Sequence, residues 1–470
     1  MKSNSIFYSF CILVTLCWGI TSCDGFLKEK SRDALPEEEG YSNISELYLN
    51  AVASLYNYIG GNADSQGLQG TGRGIYDLNT FTTDEAIMPT RGGDWYDGGF
   101  WQGLFLHKWG VNNDAIQATW EYLYKVIMLS NNSLEHIETY ALTHSDAELP
   151  GYRAEVRAFR AMYYYYLMDL FGRIPLVLHS NVASKDIVLS ERKNVFDFVV
   201  RELQEASPLL PAQFSNRSGN YYGRPVAYFL LAKLALNAEI YTDNNWTDGV
   251  RPDGKNIFFE VDGTTINAWQ TAETYCDKIT AFGYRLEPDY TANFAVYNES
   301  SVENIFTVPM SKTLYANQMQ YLFRSRHYNH AKALGLSGEN GSSATIEALQ
   351  TFGYDTDLQD PRFDFCYYAG TVYDLKGNVV KLDDGTVLVY EPWKVKLDIS
   401  DEPYEKTAGA RMKKYEIDDK AMKDGKLMEN DIVLFRYADV LLMKSEAKVR
   451  DGRDGDEELN QVRARVGVPE

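Results

Sequence analysis

The stretch Tyr152-Arg-Ala-Glu-Val-Arg-Ala-Phe-Arg-Ala-Met-Tyr-Tyr-Tyr-Tyr-Leu-Met-Asp-Leu-Phe-Gly-Arg-Ile-Pro175 constrains the fold more than any other part of the chain. Val156, Phe159, Met162, Tyr163, Tyr166, Leu167 and Leu170 recur at the three-and-four spacing of one helical face. Ala154, Ala158 and Ala161 are small, so a neighbouring helix can approach the backbone closely. Gly172 stands where a left-handed C-terminal cap is wanted, and Pro175 stops the helix from continuing. The consecutive tyrosines Tyr163 to Tyr166 cover all sides of the cylinder, which predicts a helix buried between neighbours. It reads as a central scaffold helix, and nothing in it carries chemistry.

Helical spacing recurs on either side of this element. Ile44 to Ile59 places Ile44, Leu47, Tyr48, Ala51, Val52, Leu55 and Ile59 on one face, and Asn113 to Thr139, Val195 to Leu210, Pro225 to Tyr241 and Trp269 to Phe282 follow. They come in pairs with short connections, as stacked antiparallel helix hairpins do. Asp431 to Ala447 reads as the last strong helix, with Leu459 to Val466 starting its partner. Glu303 to Pro309 and Thr386 to Tyr390 look like strands, and Leu382-Asp-Asp-Gly-Thr386 like a tight hairpin turn. Gly60 to Gly74 and Asp243 to Gly263 are polar loops. The expected fold class is mainly α, a helical-hairpin scaffold with a loop-rich lobe containing a few short β-strands.

Charge and the N-terminus narrow the function. With 66 acidic against 46 basic residues the formal net charge is −20, which leaves no positive footprint for nucleic acid. Met1-Lys2 is followed by an uncharged apolar run from Ile6 to Ile20 and then by Thr21-Ser22-Cys23, the order of a secretion signal too short to be a membrane span. Small residues directly before Cys23 resemble a bacterial lipobox, so Cys23 is the expected lipidation site. Of the 5 cysteines, only Cys276 and Cys366 remain beyond it, and Cys276 reads as a small buried apolar group. No CxxC pair occurs, which argues against structural zinc. The expected organisation is a signal peptide at 1–22, a polar tether at 23–40, and one domain at 41–470, with an N-terminal part at 41–290 and a loop-rich C-terminal part at 291–470.

Four blocks then occur in order: Ser22-Cys23-Asp24 with Phe26-Leu27; Glu155-Val-Arg-Ala-Phe-Arg-Ala-Met-Tyr-Tyr with Leu170-Phe-Gly-Arg-Ile-Pro175; Phe435-Arg-Tyr-Ala-Asp-Val-Leu-Leu-Met-Lys-Ser-Glu-Ala447; and Asn460-Gln-Val-Arg-Ala-Arg-Val-Gly467. Each alone is a generic helix or leader. Together, over nearly the whole chain, they resemble the SusD/RagB family of Bacteroidetes outer-membrane nutrient-binding lipoproteins. The resemblance implies a tetratricopeptide-like scaffold carrying a loop-rich ligand lobe. It further implies a lipid-anchored, cell-surface protein of the outer membrane that captures oligosaccharides, or sometimes peptides as RagB does. The partner so implied is a SusC-like TonB-dependent transporter, with neither catalysis nor a cofactor. Members continue past the last block into a further helical segment, so here the expectation is an incomplete or unusually short final hairpin.

Sugars present an apolar ring face and many hydroxyls, so a glycan site wants aromatic planes beside Asn, Asp and Arg. The irregular stretch Asp77 to Trp109 is long for a structureless segment, which favours function. The stretch from Arg73 to Trp101 supplies the candidates Arg73, Tyr76, Asn79, Asp84, Arg91, Asp94, Trp95 and Trp101. The resemblance supports Trp95 above its neighbours and points weakly to a second patch at Tyr321, Arg324 and Tyr328. Trp109 and Trp120 read instead as plugs between the loop lobe and the helices. An α-helical glycoside hydrolase is the enzymatic alternative, but it needs paired carboxylates across a cleft. Asp84-Glu85 are adjacent and would point different ways. His327-Tyr-Asn-His330 has no carboxylate pattern around it and reads as two solvent-side histidines rather than metal ligands. Asp243 to Gly249 lacks the placed glycine and closing acid of a calcium loop.

Overall fold

A computed structural model describes residues 40–61, 66–69, 73–212, 222–314 and 324–468. The signal segment, Cys23, nearly all of the tether and Tyr321 lie outside the described residues.

The scaffold is a row of helices in which each packs on the next. Helix α1 (Asp114–Ala141) packs on α2 (Leu149–Phe171), α2 on α3 (Arg192–Ala206), α3 on α4 (Arg224–Leu236) and α4 on α5 (Ala268–Ala281). The chain then leaves the row, builds the loop-rich lobe, and returns as α6 (Tyr437–Arg450) against α5, followed by α7 (Asp456–Ala464) against α6. Side-chain caps fix two of the starts. Asn113 accepts from Ala115 N and Ile116 N at the head of α1, and Asn267 forms a capping box with Gln270 at the head of α5.

Helix α2 is the centre of the row. Its tyrosines Tyr163, Tyr164 and Tyr165 are buried and Tyr166 is half-buried, so they are packing residues. A buried phenol must place its hydroxyl, and these do: Tyr163 donates to Tyr58 O at 3.1 Å, and Tyr164 donates to Val177 O at 2.7 Å. Arg160 reaches Glu202 on α3 at 2.9 Å and Asn131 on α1 at 2.8 Å, while Arg157 reaches Glu202 at 2.7 Å. One buried polar cluster therefore ties three helices together. Gly172, with φ +73°, closes α2 in a conformation that L side chains rarely adopt.

Two strands join the lobe to the row. Strand β1 (Asn304–Val308) pairs antiparallel with β2 (Ile432–Arg436), with register irregularities between Val433 and Arg436. This corrects the helix expected over Asp431 to Ala447, whose first third is strand. The β-branched Ile432 and Val433 favour the pleated partner, and Phe435 stacks on Phe229 of α4 at 4.3 Å. Glu303, fully buried, anchors the junction by pairing with Arg436 and with Arg465, the latter at 2.5 Å.

Other expectations shift locally. Ile44 to Ile59 is not one regular helix: an α turn at Ile44–Leu47 passes into a π turn at Tyr48–Val52 and a 3₁₀ segment at Ala53–Tyr58. The expected loop Asp243 to Gly263 ends in a strand, Phe258–Val261, paired with Thr264–Asn267. The turn at Leu382 to Thr386 is present, with Leu382 N bonded to Thr386 O at 2.8 Å and Gly385 at φ +86°. Cys276 is buried, and its thiol is pushed up by that burial. Among the described residues no helix is long and apolar enough to cross a membrane.

Candidate functional site

The irregular segment before α1 is held by a small core of its own, in which Phe81, Ala86, Met88, Trp101 and Leu104 pack together. Trp101 is its centre and only 2% exposed. Phe81 and Phe100 meet its ring edge-on at 5.2 and 4.8 Å, the Arg324 guanidinium lies over it at 5.5 Å, and its Nε1 donates to Asp97 at 2.8 Å. Trp101 therefore supports the loop and presents no free plane. Arg324, also buried, is held beneath it by a bidentate pair of its two terminal nitrogens with Asp77, at 3.0 and 2.6 Å. Tyr76 is half-buried against the main core.

Above this base the chain makes a tight turn, with Arg91 N bonded to Asp94 O at 3.0 Å and Asp94 N to Arg91 O at 2.8 Å. Arg91 was a candidate for ligand contact, but its guanidinium points inward. It donates to Gly341 O (3.2 Å), Glu405 O (2.7 Å), Ser343 Oγ (3.0 Å) and Ala408 O (3.1 Å). Burial, with Arg411 nearby, lowers its pKa. A planar donor fork is suited to clamping several carbonyls at once. Arg91 thus pins the foot of the turn to two distant segments.

Trp95 follows the turn in a left-handed conformation, φ +64°, and is half-buried. Its Nε1 donates to Glu339 O at 3.0 Å, and its ring meets Trp101 edge-on at 5.9 Å. Gly341 admits the indole, because a Cβ there would lie 2.8 Å from two of its ring atoms. Around Trp95 the exposed groups are Asp94, Tyr96 (59% exposed) and Tyr328 (48% exposed). Tyr328 donates to Asp94 Oδ2 at 3.1 Å across 234 residues of sequence. Burial and then Asp94 raise the Tyr328 phenol pKa, so at neutral pH the hydroxyl is a donor. On the other flank Arg73 pairs with Asp97 at 2.8 Å and lies over Phe100 at 5.0 Å.

The structure thus brings together Asp94, Trp95, Tyr96 and Tyr328 as a partly aromatic, hydrogen-bonding face, with Arg73 and Asp97 along the same loop. Arg91, Trp101 and Arg324 lie beneath it as supports. Asn79 and Asp84 are exposed elsewhere on the segment, where the Asp84 carbonyl accepts from the Thr345 hydroxyl. Tyr96 and Glu339 were not singled out from sequence. Tyr96 had a signal as an aromatic between Trp95 and Asp97 in a glycine-rich loop, whereas Glu339 contributes through its backbone and had none.

Two further expectations are corrected here. Trp109 is no plug: it is 47% exposed, beside His107. Trp120 does pack, against Tyr124 and Phe171. His327 and His330 are buried, not solvent-side. His327 Nδ1 accepts from Asn329 N at 3.1 Å, and the Tyr390 hydroxyl, which accepts from His327 N, shares a hydrogen bond of 3.0 Å with His330 Nδ1. Among the described residues no group of three or more His, Cys, Asp or Glu is placed to hold a metal ion.

Residues 37–236 match the family described as "Starch-binding associating with outer membrane", and residues 263–470 match the one described as "SusD family". This chain belongs to the SusD/RagB family. It is 24% identical to the starch-binding protein SusD of Bacteroides thetaiotaomicron over 515 aligned residues, spanning 99% of this chain and 85% of that one. Among solved structures, a SusD-like carbohydrate-binding protein of Bacteroides fragilis superimposes with a TM-score of 0.66 at 20% identity, covering 91% of this chain and 80% of that one. Surface glycan-binding protein A of Bacteroides thetaiotaomicron, in complex with laminarihexaose, gives a TM-score of 0.66 at 16% identity, covering 90% and 83%. The SusD-like fold, mainly helical and tetratricopeptide-like with a few short strands, is therefore shared at low identity.

Proposed function

We propose that this SusD/RagB member is a cell-surface lipoprotein that captures oligosaccharides and passes them to a SusC-like TonB-dependent transporter, without catalysis. The observation that carries the reading is the face formed by Asp94, Trp95, Tyr96 and Tyr328, raised on a buried aromatic and arginine base. Aromatic edges and planes take the apolar side of a pyranose, while Asp94 and the Tyr328 hydroxyl take its hydroxyl groups. Such a face binds by complementarity and supplies no acid and base on opposite sides of a glycosidic bond. The family description as starch-binding and outer-membrane-associated, and the carbohydrate ligands named for its relatives, support the same reading. Cys23 is the proposed lipid attachment, and the acidic body is held off the membrane by the polar tether.

Affinity electrophoresis against starch, laminarin, xyloglucan, arabinoxylan, mannan and pectin tests the binding. Retardation by at least one glycan, with no reducing ends released on prolonged incubation, is the expected result. Release of product would contradict the non-catalytic reading, and retardation by none would contradict the glycan reading.

A further inference from the structure

Just past the face described above, the same loop walls a second depression. A cleft of about 430 Å³ lies between the Asp97–Phe100 turn and the segment leading into α1, and its lining includes Asp97, Gly98, Lys108, Trp109, Asn112 and Asn113. That volume lies in the range of small-ligand sites. Gly98 and Gly99, at φ +66° and +85°, have open space where a Cβ would stand, so this wall is bare backbone.

Trp109 is held and yet exposed. His107 lies beside its ring at 5.7 Å, and His107 Nε2 is in turn tied to Thr82 O at 2.8 Å. An indole 47% exposed on a braced segment is a presented plane, not a packing residue. Next to it, the Lys108 ammonium and the Asn112 carboxamide make no hydrogen bond or ion pair among the described residues, and both are exposed. Asp97, across the cleft, is already engaged by Arg73 and Trp101. One flat aromatic surface flanked by unused donors, in an open trough, suits a ring with an apolar face and a rim of hydroxyls.

We propose that the Trp109 cleft is a second glycan-contact site, separate from the Trp95 face, in which a pyranose ring stacks on Trp109 while Lys108 and Asn112 hydrogen-bond its hydroxyls. This rests on the glycan-binding reading of the chain and adds to it: one oligosaccharide is gripped at two places along one loop. The open trough lets a chain run through, so the site favours internal segments of a polymer over chain ends.

The test is titration calorimetry of the wild type, Trp95→Ala, Trp109→Ala and Asn112→Ala with whichever of the six polysaccharides the wild type binds. Thermal unfolding serves as the control for folding. Expected are unchanged unfolding and a roughly three- to tenfold loss of affinity for Trp109→Ala, with a smaller loss for Asn112→Ala. If the wild type binds and Trp95→Ala weakens it while Trp109→Ala matches the wild type, the cleft is no glycan site and the primary face stands. If the wild type binds none of the six, the glycan reading fails and this proposal fails with it.

Discussion

Arg324 and Asp77, 247 positions apart, form a bidentate ion pair with N–O distances of 2.6 and 3.0 Å, directly beneath Trp101. Asp77 is fully buried and Arg324 nearly so, so each charge depends on the other. Removing one partner strands the other without water. Arg324→Met is expected to cost about 3–5 kcal/mol in urea unfolding, and Asp77→Leu in the Arg324→Met background to recover part of it. A double variant no more stable than the single one would contradict the pairing.

Glu155 lies on the buried side of α2 with the Tyr56 hydroxyl as its partner, and burial raises its carboxyl pKa to about 7. The folded state therefore holds the proton that the unfolded chain releases near pH 4.5. The group's contribution is full below about pH 4.5 and declines as pH rises to about 7, by up to about 3 kcal/mol. Glu155→Gln should become more stable relative to wild type between pH 5 and pH 8 in chemical denaturation. Parallel pH profiles for the two proteins would rule this out.

His327 and His330 act in the opposite sense. Burial, assisted by nearby arginines, pushes the two imidazoles down to about 4 and about 3. Their contribution is complete above about pH 6.5 and is lost as pH falls through the folded values. Acidification from pH 6.5 should therefore loosen the lobe around Tyr390 first, seen as faster amide exchange there. His330→Gln loses the bond between the imidazole and the Tyr390 hydroxyl, roughly 1 kcal/mol at pH 7, but should show a shallower acid decline. An equally steep decline in the variant would show that other groups set the acid limit.

The helical row was legible because its signals are local. Period, small residues and the Gly172 stop all act within a few turns of α2, and the structure gives the helix only a slightly earlier start, at Leu149. What failed was decided by distant partners. Ile432 to Arg436 fits a helical period as well as a strand, and the pairing with Asn304 to Val308 chose the strand. His327 and His330 looked like surface polar residues because Tyr390, which buries and binds them, comes 60 residues after His330. In the loop, arginines and tryptophans are suited equally to gripping a ligand and to gripping the protein. Arg91 and Arg324 found carbonyls and a carboxylate inside, Trp101 was enclosed by Phe81 and Phe100, and Trp109, set among glycines, stayed open. Composition marked the loop as the candidate segment without sorting its supports from its exposed face.

The central claim is that the loop around Trp95 captures glycan. Titration calorimetry of wild type and Trp95→Ala against a polysaccharide that retards the wild type tests it most directly. The expected result is at least a tenfold weaker Kd for the variant, with thermal unfolding moved by only a few degrees, as removal of a central aromatic contact gives. Equal affinity of the two proteins for that glycan would contradict the account.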